Sequence, residues 1–135
     1  MKKWHMTVTQ NEKQKRATLN AYHTGIRIEE KFPNIERIEI DYIRTHHTAF
    51  GPNNVKEAMV LKPTFEAFFI IPCLNRECSS VGFDLSNDIF DMYRAHQKEK
   101  TGRMNCCGQE APDHPEQNCS GTIEYIIKIE YKSID

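Results

Sequence analysis

Five cysteines in two clusters are the residues of this chain whose type and spacing indicate a chemical site. The first cluster holds Cys73 and Cys78, with four residues between them, and the second holds Cys106, Cys107 and Cys119. Thiolates are strong zinc ligands, and four of them complete a tetrahedral shell. The spacing therefore predicts two ligand loops that folding brings together around one zinc ion.

Only four of the five cysteines are expected to bind this ion. Cys106 and Cys107 are adjacent, and adjacent side chains on an extended chain point to opposite sides, so one of the two faces the metal. A glycine directly after a ligand is typical of zinc loops, and Gly108 therefore slightly favours Cys107. The predicted ligands are Cys73, Cys78, Cys107 and Cys119, with Cys106 as the alternative to Cys107.

A shell of four thiolates favours a structural ion, because a catalytic zinc keeps one position open for water or substrate. We therefore assign no catalytic residue. If one cysteine lay outside the shell, His114 would be a candidate to replace it. An open zinc site or a redox-active thiol pair would then make the chain an enzyme. His46 and His47 lack a defined third ligand and are interpreted as loop residues.

Four-cysteine shells divided between two loops resemble the zinc-ribbon class of modules. The resemblance covers about residues 72–120 and implies ligand loops that clamp the ends of β-strands. This chain departs from the class pattern because neither half has the CxxC spacing and a predicted helix separates the halves. Zinc ribbons occur in transcription, ribosomal, repair and purely structural modules. The resemblance thus implies a metal but no single function.

The composition describes one folded domain over residues 1–135, with 39% hydrophobic and 27% charged residues. A chain of this length buries roughly two-thirds of its unfolded surface, so we expect a core that does not depend on metal. The N-terminus lacks the apolar run of a signal peptide, and no segment approaches the roughly 20 apolar residues of a membrane span. These features predict a cytoplasmic protein, in which clustered cysteines are more often metal ligands than disulfides.

A formal net charge of −1 argues against a general attraction to nucleic acid or to anionic lipid. Residues 1–31 nevertheless carry seven lysines and arginines against three glutamates. Within this segment Lys13, Lys15 and Arg16 are candidates for contact with nucleic-acid phosphates. A nucleic-acid-binding module is therefore the alternative to a module with a protein partner. The exposed edges of a small sheet also make a homodimer plausible.

The elements that position the cysteines are predicted to form an α+β fold. Alternating apolar residues predict strands over residues 35–45 and 121–132, with a short strand over 58–61. A continuous apolar run predicts a central strand over 64–72, which leads into Cys73. Helices are predicted over 85–101, ended by Gly102, and over 11–31, where Gly25 and the alternation of Ile26 and Ile28 allow a break or a strand.

Residues 46–56 and 108–118 are predicted as loops. The resulting architecture is a mainly antiparallel sheet of four or five strands, with one or two helices on one face and a zinc-ribbon-like site at one edge.

Overall fold

A four-stranded antiparallel sheet is the centre of the computed structural model, which describes residues 10–75, 78, 80–106, 109–111 and 114–133. The elements in chain order are α1 (Gln10–Tyr22), α2 (Ile28–Lys31), β1 (Ile35–Thr48), β2 (Gly51–Leu61), β3 (Ile70–Ile71), β4 (Phe83–Asp84), α3 (Ser86–Ala95), β5 (Glu99–Asn105), β6 (Gln109–Ala111), β7 (His114–Asn118) and β8 (Thr122–Tyr131). The large sheet has the order β2-β1-β8-β5, and β3-β4 and β6-β7 form two small antiparallel pairs. The predicted α+β fold is confirmed.

The core lies on one face of the large sheet because the two central strands alternate apolar and polar residues. The buried residues of these strands are Ile35, Ile38, Ile40, Tyr42, Ile123, Tyr125, Ile127 and Ile129. They form one cluster with Ile28 and Phe32 near α2, with Ile89 and Met92 of α3, and with Ile71 and Phe83 of the β3-β4 pair. Each fully buried side chain of this size contributes roughly 1.5–3 kcal/mol to folding.

The sequence predicted a central strand over residues 64–72, and this prediction is wrong. Only Ile70–Ile71 are extended, and they pair with β4 outside the large sheet. The backbone before them bonds elsewhere: the amide of Ala67 donates to Ile26 O at 2.7 Å, and Leu85 donates to Phe69 O at 3.0 Å. This segment is apolar because it packs against the core from outside the sheet, with Phe69 and Ile71 buried.

The helix between the cysteine clusters is shorter than predicted and ends at Ala95 instead of near residue 101. His96 ends it in a left-handed conformation with φ of 54°, and the following residues become the edge strand β5. In β5 the half-buried Lys100, Gly102 and Met104 alternate with exposed residues. A period of two is that of a strand. Gly102 was predicted to end a helix, but it lies within β5 and pairs with Tyr125 of β8.

Two predicted loops also contain strands. Strands β1 and β2 extend into residues 46–56, so that His46 and His47 lie on β1 and the turn is confined to the residues between Thr48 and Gly51. Residues 108–118 contain the short strands β6 and β7. The N-terminal helix breaks after Tyr22, and Gly25 adopts a φ of 78° before α2 begins. None of the helices in the described part of the chain has the length and apolar character needed to cross a membrane.

Tyr125 joins the sheet to α3 inside the fold. Its hydroxyl donates a hydrogen bond to Asp88 Oδ2, while Lys100 Nζ donates to Asp88 Oδ1 at 2.9 Å. Gly102 leaves room for the ring, because a Cβ added there would lie 2.4 Å from Tyr125 Cζ. Burial, together with the hydrogen bond to Asp88, raises the pKa of Tyr125.

We expect Tyr125→Phe to lower the free energy of unfolding by about 1–2 kcal/mol at neutral pH, because Asp88 loses a buried donor. Since the folded pKa is raised, the phenol's contribution is present below the ordinary value of 10.0. It is lost as the pH rises toward the folded value, because the unfolded chain ionises first. Urea unfolding at neutral pH and at about pH 11 tests this, with exposed Tyr22→Phe as the control. An equal difference between wild type and Tyr125→Phe at both pH values would contradict it.

Candidate metal centre

Four cysteines meet at the end of the large sheet where β5 stops and β8 starts. Cys73 follows β3, Cys106 directly follows β5, and Cys119 directly follows β7. The Cys106 amide donates to the carbonyl of Gly121 at 2.8 Å, which continues the hydrogen bonding between β5 and β8 beyond the strands themselves. Sheet pairing therefore places Cys106 close to Cys119. The segment between β3 and β4 supplies the other two cysteines of the cluster, Cys73 and Cys78.

The four sulfur atoms have the spacing of a metal shell. All of them lie within 4.8 Å of one another, and all four residues are buried. Cys73 Sγ is 3.7 Å from Cys119 Sγ, and Cys78 Sγ is 3.2 Å from Cys106 Sγ. A tetrahedron with metal–sulfur bonds of about 2.3 Å places its sulfur atoms about 3.8 Å apart. A metal ion at the centre of the cluster thus requires only small movements of the side chains.

Three of the four sulfurs share a local hydrogen-bond pattern. Cys78 Sγ accepts the amide of Ser80 at 3.3 Å, and Cys119 Sγ accepts the amide of Gly121 at 3.4 Å. Cys73 accepts the backbone amide of Asn75, again two residues further along the chain. Amide donors directed at sulfur stabilise the negative charge of a thiolate and orient it toward a metal. The surroundings are therefore built for charged sulfur ligands.

The pKa values of the Cys73 and Cys78 thiols are raised, so both thiols keep their protons unless a cation balances the charge of their thiolates. The hydrogen bond with Cys106 is the largest cause that raises the pKa of Cys78 to about 12. Hydrogen bonds with Cys106 and Cys78, followed by burial, also raise the pKa of Cys73. Because buried thiolates repel one another, a divalent cation that replaces the protons relieves this cost. The cluster can hold a metal ion.

The structure brings together three of the preferred ligands, Cys73, Cys78 and Cys119. The fourth sulfur of the cluster belongs to Cys106, which was predicted as the alternative to Cys107. Cys107 lies outside the described residues, so its preference over Cys106 stays a prediction. His46 and His47 are not members of the cluster in the described part of the chain. His114 lies in β7.

Sequence reasoning missed the residues that support the cluster. Arg44 on β1 donates from Nη1 to Pro72 O at 3.1 Å and also pairs with Glu57. The bond to Pro72 holds the chain just before Cys73. Asn75 is buried and its Nδ2 lies 3.7 Å from Cys119 Sγ. The position of Asn75 two residues after a cysteine is a signal that the sequence offers. Nothing local links Arg44 to residues 28 positions away.

Gly121 leaves room for the sulfur of Cys73. A Cβ added to it would lie 2.5 Å from Cys73 Sγ, whereas its distance to Cys119 Sγ, 3.4 Å, is an ordinary contact. We expect Gly121→Ala to weaken metal binding at least about tenfold, because the Cys73 sulfur must move away from the added Cβ. Competition with a chelator of known affinity measures the change.

Gly102→Ala is the matched control for Gly121→Ala. It also introduces a clash, but with the ring of Tyr125 and away from the sulfurs. Gly102→Ala should therefore lower stability and keep the wild-type metal affinity. Equal affinities of Gly121→Ala and wild type would contradict the prediction.

The chain matches no protein-family model, no curated protein and no solved structure. Its function must therefore be inferred from the four-cysteine cluster and its surroundings.

Proposed function

We propose that this protein binds one zinc ion through the four-cysteine cluster. The observation that carries the proposal is the set of four buried sulfurs within 4.8 Å of one another, three of them accepting a backbone amide. Soft thiolate ligands in a tetrahedral arrangement suit zinc, and also iron. Zinc is favoured because a structural zinc requires only a closed tetrahedral shell, and four thiolates supply it.

The role we propose for the ion is structural. Four sulfur ligands leave no position for water or substrate, which supports a non-enzymatic role over an open zinc site. The ion would tie three segments together: the turn after β3, the end of β5 and the start of β8. Reduced thiols of this kind persist in the cytoplasm, where we place the protein. The central sheet has an isoleucine-rich core, and we expect it to fold without the ion.

Elemental analysis of the purified, reduced protein tests the metal. One zinc per chain is expected, and a metal content of zero would contradict the proposal. Iron would be recognised by its visible absorption, which zinc lacks because its d shell is full. Thiol titration before and after chelation should show four cysteines that react much more slowly in the metal-loaded protein than after the metal is removed.

Removal of the metal is expected to destabilise the end of the fold that contains the four cysteines and to leave the centre of the large sheet folded. Amide hydrogen exchange of the chelated protein should increase around Cys73, Cys78, Cys106 and Cys119. The centres of β1 and β8, which pair from Ile38–Ile129 to Tyr42–Tyr125, should stay protected. Uniform loss of protection over both regions would show that the ion holds the whole domain, as in small zinc fingers.

We propose that the module acts through contact with another protein. The outer face of the large sheet supports this, because Ile43, Val60 and Ile126 on that face stay 36%, 41% and 38% exposed. A homodimer is the simplest such contact. Sedimentation of wild type and Ile126→Lys over a range of concentrations tests it, since only wild type should associate.

A nucleic-acid-binding module remains the second candidate. Lys13 and Arg16 are exposed on α1, which supports phosphate contact. Lys15 is half-buried, which weakens the case for a continuous basic surface. If this candidate is correct, affinity for single- or double-stranded DNA or RNA should fall steeply with salt and disappear in a triple Lys13, Lys15 and Arg16 to Gln variant. Salt-independent, weak binding would exclude it.

A further inference from the structure

A pocket of about 180 Å³ lies beside the four-cysteine cluster and has one of the four cysteines among its lining residues. Its lining residues are Lys15, Arg16, Leu19, Pro72, Cys73, Ser80 and Val81. Cys73 is the member of the cluster that lines the pocket, whereas Cys78 is fully buried. A water molecule occupies about 30 Å³ in the liquid, so the volume admits a molecule somewhat larger than water. Small reagents can therefore approach the cluster at Cys73.

Two cationic residues line the pocket through which reagents reach Cys73. Lys15 and Arg16 are successive cations among the pocket-lining residues of α1, and a shell of four thiolates with one divalent ion carries a net charge of about −2. Cys73 is a thiolate whenever it binds the ion, and the thiolate is the nucleophile in reactions with electrophiles and oxidants. The two cations can stabilise an anionic leaving group such as hydroxide. Cys73 thus has the surroundings of a reactive cysteine.

Cys73 also has a partner within reach. Its sulfur lies 3.7 Å from Cys119 Sγ, so that closing to a disulfide bond of about 2.05 Å requires a modest movement of two side chains. The second pair, Cys78 and Cys106, is closer at 3.2 Å. Neither of its members lines the pocket. Access from the pocket favours Cys73–Cys119 as the first disulfide, whereas the shorter sulfur–sulfur distance favours Cys78–Cys106. The disulfide that forms first distinguishes the two.

We propose that Cys73 is an oxidation site for a hydroperoxide, with Cys119 as its resolving partner. The proposal rests on the zinc centre proposed above and adds its regulation. The Cys73 thiolate attacks one peroxide oxygen: an S–O bond forms, the O–O bond breaks, and the leaving hydroxide takes a proton to become water. The Cys119 thiolate then attacks the sulfenic sulfur: an S–S bond forms, the S–O bond breaks, and the second hydroxide is protonated to water.

The two steps oxidise two thiolates by two electrons in total and reduce hydrogen peroxide to two water molecules. The disulfide takes two of the four ligands from the metal, so zinc is released together with disulfide formation. A thiol reductant reverses the disulfide and restores the site. The state of the centre then reports the balance between hydroperoxide and reductant.

The test uses the zinc-loaded full chain treated with hydrogen peroxide. Zinc release is followed by the absorbance of a chromogenic chelator, and the first disulfide is mapped by peptide mass spectrometry. We expect Cys73–Cys119 to form first and at the rate of zinc release. A Lys15→Gln, Arg16→Gln double variant should release zinc at least about fivefold more slowly, because the cations stabilise the leaving hydroxide. Lys13→Gln, exposed on the same helix and outside the pocket, should behave as wild type.

Two results would overturn the proposal: a first disulfide between Cys78 and Cys106, or equal rates in the double variant and the Lys13 control. Hydrogen exchange of both variants before oxidation shows that they keep the wild-type fold. Failure of the proposed function is distinguished from failure of this proposal, because elemental analysis before peroxide is added shows whether the chain binds zinc. In that case the order of disulfide formation in the metal-free protein still tests Cys73 as the site.

Discussion

Cys106→Ser is expected to abolish stable zinc binding, whereas Cys107→Ser is expected to retain one zinc per chain. The Cys106 sulfur lies 3.2 Å from Cys78 Sγ, and the backbone of Cys106 is fixed by its hydrogen bond to Gly121. A serine hydroxyl is a poor substitute for a thiolate, so the affinity should fall more than about 100-fold. At a free zinc concentration 100 times the wild-type Kd, zinc contributes about 2.7 kcal/mol of stability, and a 100-fold loss of affinity removes about 2.3 kcal/mol of it.

Zinc content and thermal unfolding of the two serine variants, with and without added zinc, measure this prediction. The Cys106→Ser protein should unfold at the same temperature in both conditions, whereas the Cys107→Ser protein should be stabilised by zinc. The reverse result would support the ligand set that the sequence favoured, with Cys107 in place of Cys106. Because the two variants differ by one position and share the same chemical change, each is the control for the other.

Gly82→Ala is expected to lower the free energy of unfolding by about 3 kcal/mol or more, because it combines two costs. Gly82 has a φ of 132°, a conformation that residues with a side chain rarely adopt. In addition, an added Cβ would lie 2.4 Å from the carbonyl oxygen of Ile71 and 3.0 Å from Pro72 Cα. These are backbone atoms of the segment that leads into Cys73, so the substitution should also weaken metal binding.

Gly51→Ala separates the two costs in the Gly82 variant. Gly51 also has a positive φ, of 110°, but its added Cβ would meet nothing within 4 Å. This variant should lose only the conformational cost, roughly 1–2 kcal/mol, and keep its metal affinity. Urea unfolding of both variants, combined with chelator competition, tests the prediction. Equal destabilisation would mean that the clash with Ile71 is relieved without cost.

The sequence was most informative where a local pattern is repeated over many residues. The alternation in Ile123, Tyr125, Ile127 and Ile129 predicted β8, and the same pattern around Ile38 predicted β1, because a half-buried strand must present apolar side chains with a period of two. Both strands occupy the sheet centre. Their burial on one face depends only on residues within the strand, so the pattern is visible without knowledge of the partner.

The sequence misled where an apolar run has more than one explanation. A continuous run such as residues 64–72 suits a strand covered on both faces, and it suits equally a segment that packs beside the sheet. The choice depends on where the backbone hydrogen bonds go, and Ala67 and Leu85 bond outside the large sheet. For β5 the deciding interaction is the pairing of residues 99–105 with β8, whose partner residues lie 17 to 29 positions away in the chain.

By itself, then, the sequence determined the chemistry available to this protein: five cysteines in two clusters and a core large enough for an α+β fold. Residue types fix which atoms can bind a metal, and short-range periodicity fixes the central strands. Only the tertiary structure decided that Cys106 lies beside Cys78, that Arg44 holds Pro72, and that Lys15 and Arg16 line a pocket on Cys73. These placements depend on contacts between residues 28 to 58 positions apart, and no local pattern encodes such contacts.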